Sequence, residues 1–66
     1  MQITLNGEKR EVAGGTTVQI LLDSLGFTAE ATVVERNMDI LDRSVYATTL
    51  VADGDSIELV RFVGGG

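Results

Sequence analysis

Sixty-six residues, 44% of them apolar and none of them cysteine or histidine, fit one small folded domain. They exclude disulfides, a thiolate or imidazole zinc site, iron–sulfur clusters and thiol or imidazole catalysis. Ten acidic against five basic residues leave a net charge of −5, which excludes a nucleic-acid backbone as partner and favours a protein partner with a basic surface.

Gln2 and Thr4 alternate with Ile3 and Leu5, the period of a half-buried strand that begins almost at Met1. Asn6-Gly7 follows, and both residues tolerate the positive φ of a type I′ hairpin turn. The return strand runs from about Glu8 to Val12, and its Lys9, Arg10 and Glu11 mark an edge strand whose charges discourage aggregation. Gly14-Gly15 breaks the sheet. Thr16 and, three residues on, Gln19 form a capping box for a helix in which Val18, Leu21, Leu22 and Leu25 make one apolar stripe. Gly26 stands where a left-handed C-cap residue belongs, with Phe27 placed to fold back on the last turn.

Ala31 to Arg36 is a third strand, β-branched at Thr32, Val33 and Val34. Asn37 to Asp39 reads as a turn before a short apolar piece, Ile40-Leu41, and Asp42 to Leu50 has no clean period. Asp53-Gly54-Asp55 is a second tight turn, and Ser56 to Val63 is the last strand. A hairpin, a helix lying across the same sheet and then further strands is the plan of an α+β, β-grasp (ubiquitin-like) fold, with a mixed sheet of four to five strands and one main helix on one face. Residues 1–63 are expected to form the domain, and residues 64–66 a flexible glycine tail. No apolar run approaches membrane-spanning length and no signal-like segment opens the chain, so a cytoplasmic location is expected, with no membrane partner.

The last strand holds more apolar residues than one buried face needs. Ile57 and Leu59 alternate toward the helix, which leaves Val60 and Phe62 on the open face with Glu58, just before Gly64-Gly65-Gly66. An apolar spot at the root of a glycine tail suits partner docking, although scattered exposed apolar residues are also ordinary. Asp53, Asp55 and Glu58 are candidate contacts to a basic partner, with a turn-supporting role for Asp53 or Asp55 equally open. The tail reads either as a frayed end or as a substrate. Glycines thread a narrow cleft without clash, and a Gly66 carboxylate is an unhindered reactive group.

The length, the opening strand with Asn6-Gly7, the stretch Val34-Glu35-Arg36-Asn37, the Asp53-Gly54-Asp55 turn and the ending Phe62-Val63-Gly64-Gly65-Gly66 together resemble the ThiS family of sulfur carriers in thiamine biosynthesis, over the whole chain. The resemblance implies that Gly65-Gly66 is the terminal diglycine and that a ThiF-like enzyme adenylates the Gly66 carboxylate with MgATP. A sulfur-donating enzyme would then supply sulfur for a thiocarboxylate, and a ThiG-like thiazole synthase would take that sulfur. On this reading the chain is not an enzyme, binds no cofactor or metal, and acts as a monomeric co-substrate of other enzymes. The related molybdopterin carriers, MoaD-like and somewhat longer, are one alternative, and a β-grasp interaction module is another. Lys9, the single lysine, offers only one internal acceptor for any polymerising tag.

Overall fold

The computed structural model describes residues 1–62. The expectations for Val63, Gly64, Gly65 and Gly66, including the division into a 1–63 domain and a 64–66 tail, lie outside the described residues. Strands β1 (Gln2–Leu5), β2 (Glu8–Glu11), β3 (Thr32–Arg36), β4 (Asp39–Ile40) and β5 (Ser56–Arg61) and helix α1 (Val18–Leu25) build the domain. The strand order is β2-β1-β5-β3-β4, with β1 and β5 parallel at the centre and the other pairs antiparallel. This is the α+β, β-grasp architecture expected from the sequence, with five strands.

Local signals place most of it. Asn6 and Gly7 both take positive φ (48° and 82°) in the β1–β2 turn, as a two-residue hairpin loop requires. β2 lies at the sheet edge with all four residues exposed. Val18, Leu21 and Leu22 of α1 are buried against Ile3, Leu5, Val34, Ile57 and Leu59, and Leu25 and Phe27 pack at the margin of this core. The helix ends where Gly26 turns left-handed (φ 77°), while the Phe27 N–H closes back on the Leu22 carbonyl.

Two local readings are corrected. The helix cap is Thr17, whose hydroxyl oxygen accepts from the Ile20 N–H, and the expected Thr16–Gln19 capping box is absent. The Thr16 hydroxyl donates instead to the Ala13 carbonyl, and the Gln19 amide to Asp23. The physical reason is tertiary: Thr17 bridges Leu50, and the Thr16 carbonyl accepts from the Val51 N–H, so the chain is held extended one residue further. The N–H groups of Val18 and Gln19 then find the carbonyls of Thr49 and Tyr46, which satisfies donors that a free helix end leaves unpaired. The second correction concerns Asn37 to Asp39. The turn is Asn37-Met38, both at positive φ (51° and 72°), and Asp39 already belongs to β4, which folds back on β3.

The aperiodic stretch after β4 carries a buried tyrosine. β4 pairs only with Glu35 and Arg36, and the Leu41 N–H after it reaches the Val34 carbonyl, which leaves a gap along the outer edge of β3 at the Val34 N–H and the Thr32 carbonyl. Tyr46, 3% exposed, fills that gap: its hydroxyl donates to the Thr32 carbonyl (2.9 Å) and accepts from the Val34 N–H (3.3 Å). Replacing Tyr46 by Phe keeps the ring and leaves a buried carbonyl and a buried N–H unpaired. Each such loss costs about 1–3 kcal/mol. Urea unfolding of Tyr46→Phe should therefore show a clear fall in midpoint with an unchanged slope, and a midpoint equal to that of the parent would mean that water replaces the phenol.

Candidate functional site

α1 covers one face of the sheet, and the other face is open. The β5 alternation decides what each face carries. Ile57 and Leu59 are 0% and 8% exposed, whereas Val60 and Phe62 are 55% and 57% exposed, as the sequence pattern requires of a strand with one buried side. Val33 stands opposite Val60, and Ile40 of β4 stands opposite Glu35, so β3 and β4 extend the apolar surface beside β5. Ile40 and Met38 are 74% and 89% exposed. The sequence reading placed Met38 in a turn and Ile40 in the apolar piece after it but assigned neither to this surface, because only the pairing of Ile40 with Glu35 shows which face Ile40 joins.

The three acidic candidates fall in three different settings. Glu58 is exposed on the open face, directly across from Glu35. Asp53 is exposed at the turn, where its carboxylate accepts from the Gln2 N–H (2.7 Å) and so ties the start of β1 to the approach to β5. Asp55 is turned inward. Its side chain is 7% exposed, forms an ion pair with Arg36 (3.0 Å), and accepts from the Asn37 side-chain amide (3.1 Å) and the Ala52 N–H (2.8 Å). Asn37 completes the link by accepting from the Ser56 N–H. Asp55 therefore clasps the β3–β4 turn to the start of β5.

Burial alone would raise the Asp55 pKa, but the Ala52 N–H, the Asn37 amide and the Arg36 guanidinium outweigh it and hold the carboxyl below its ordinary value. Asp42, exposed, is lowered as well, by the Ser44 hydroxyl and N–H. A carboxyl with a depressed folded pKa stabilises the fold fully above its unfolded pKa, and that stability disappears as pH falls through the folded value. Stability should thus be flat near neutrality and fall progressively below about pH 5, where an unperturbed carboxylate begins to protonate. Asp55→Asn should flatten that acid limb in a series of denaturation curves; an unaltered limb would assign it to other carboxyls such as Asp42.

The described residues hold no cluster of three or more metal-ligating side chains. They include no helix long and apolar enough to cross a membrane. Two shallow clefts, of about 230 Å³ beside the β3–β4 turn and about 180 Å³ between β2 and the end of α1, are lined by residues that offer no nucleophile paired with a base. Among the described residues the distinctive surface is the open face beside β5.

A five-stranded mixed sheet grasping one helix, with an apolar open face beside the strand that leads into three glycines, defines a ubiquitin-like β-grasp protein. Comparison with known proteins narrows the class. The ThiS family matches residues 3–66, and this chain belongs to it. It is 38% identical to the sulfur carrier protein ThiS of Bacillus subtilis, over 97% of this chain and 98% of that one. The crystal structure of the thiamine biosynthesis protein ThiS from Geobacter metallireducens superposes with a TM-score of 0.82 at 39% identity, covering both chains completely. The chain is also 44% identical to part of a thiazole synthase of Paramagnetospirillum magneticum, and it spans about a fifth of that relative's length.

Proposed function

We propose that the chain is a sulfur carrier of thiamine biosynthesis whose reacting group is the Gly66 carboxylate. The observation that carries this reading is similarity along the whole chain to ThiS sulfur carriers. The 44% identity to about a fifth of two proteins named thiazole synthase supports reading such an enzyme as a partner on which the carrier docks.

A carboxylate resists nucleophiles, because its charge repels them and oxide is a poor leaving group. In the proposed sequence a ThiF-like enzyme uses MgATP. One Gly66 oxygen attacks the α-phosphate, pyrophosphate leaves, and an acyl adenylate forms. A sulfur nucleophile at the oxidation level of sulfide, delivered by a donor enzyme, then attacks the acyl carbon, and AMP departs with one of the original oxygens. The product is a thiocarboxylate, from which a thiazole synthase takes the sulfur. The carrier contributes docking through Val60 and Phe62, and Gly64, Gly65 and Gly66 add no side chain to obstruct a narrow cleft.

Incubation with a cognate adenylating enzyme, ATP and a sulfur source should convert the intact chain to a species heavier by the difference between sulfur and oxygen. An unchanged mass beside an enzyme shown to be active would leave a binding module in place of a carrier.

A further inference from the structure

On the open face Glu35 and Glu58 stand directly opposite one another on β3 and β5. Facing residues on neighbouring strands have Cβ atoms about 5 Å apart, and like charges at that spacing repel. Among the described residues neither glutamate forms an ion pair. Arg36 is paired with Asp55, Arg61 stacks on the Phe27 ring (5.0 Å), Arg43 donates to the Glu30 carbonyl, and Lys9 and Arg10 lie on β2, which β1 separates from β5. The pair is framed by apolar side chains: Ile40 beside Glu35 on β4, and Val33 and Val60 on the next rank toward Phe62. A frame of this kind excludes water once covered, which strengthens any charge pairing made inside it.

We infer that Glu35 and Glu58 together receive one arginine of a partner protein, presented among apolar side chains that cover Val33, Ile40, Val60 and Phe62. Arginine fits better than lysine, because its planar guanidinium carries five donors and can bridge two carboxylates at once. The repulsion that weakens the free domain becomes an attraction in the complex. The inference rests on the carrier reading, since it names the chemistry of the surface that the adenylating enzyme or the thiazole synthase brings to this face.

Two measurements with opposite signs test it. In the isolated chain, Glu58→Lys replaces repulsion by a cross-strand ion pair, so its Tm should rise by about 2–6 °C, with smaller rises for Glu35→Gln and Glu58→Gln. Against the cognate adenylating enzyme and thiazole synthase, each titrated calorimetrically, Glu58→Lys should weaken binding roughly tenfold or more, and the two glutamine variants should follow in the same direction. Binding of all three variants within threefold of the parent overturns the inference and leaves the carrier reading intact. A lower Tm for Glu58→Lys also overturns it, because the pair would then not be repulsive in the free domain. Stabilisation of the parent by magnesium or calcium chloride alone, lost in Glu58→Gln, would replace the arginine by a metal ion. Failure of the parent to bind either enzyme would remove the carrier reading, and the inference with it.

Discussion

Deletion of Gly66, or its extension by one non-cleavable alanine, should abolish sulfur loading and leave the fold untouched. Deletion moves the carboxylate back by one residue, about 3.5 Å of extended chain, and extension converts the Gly66 carbonyl into an unreactive amide. Either change displaces the group that must meet ATP at close range, and a misplacement of even 1 Å can cost about a hundredfold in rate. Neither touches the core, which is built from residues between Ile3 and Leu59. Circular dichroism and Tm should match those of the parent while the mass increase disappears. Full loading of the alanine-extended chain would place the sulfur elsewhere than on Gly66.

Leu59→Ala and Phe62→Ala should separate folding from docking. Leu59 is 8% exposed and belongs to the core cluster, and truncating a buried leucine costs about 2–5 kcal/mol. A domain of this size has only a few kcal/mol of stability to lose, so much of the Leu59→Ala population should be unfolded at 37 °C. Phe62 is 57% exposed, and its ring can bury the rest of its area only when a partner arrives. Phe62→Ala should fold with a modestly lowered midpoint yet bind the adenylating enzyme or thiazole synthase at least tenfold more weakly. A denaturation curve and one titration per variant decide the matter. Unimpaired binding by Phe62→Ala would move the docking surface away from the end of β5.

The two faces of β5 were legible because a strand alternates strictly, so Ile57 and Leu59 must share a side that Val60 and Phe62 cannot reach. The Asn6-Gly7 turn, the apolar stripe of α1 and the Gly26 cap were legible for a similar reason: each depends on residues within one turn or one helical repeat. Asp53 and Asp55 could not be told apart, because two acids around one glycine look alike until the partners of one of them, Arg36 and Asn37, arrive from the β3–β4 hairpin.

The sequence by itself determined the class of this protein: one cysteine-free acidic domain with a hairpin, a single amphipathic helix and a last strand running into glycines, whose motifs in order match a carrier family. Tertiary structure alone decided that Thr17 caps the helix in place of Thr16, that Tyr46 fills the gap along the edge of β3, that Ile40 joins the open face, and that Glu35 faces Glu58. Each of these depends on groups brought together across the sheet or across more than ten residues of chain. Local periodicity records which way a side chain points; which neighbour it meets is set by strand register, and register is fixed only when the core closes.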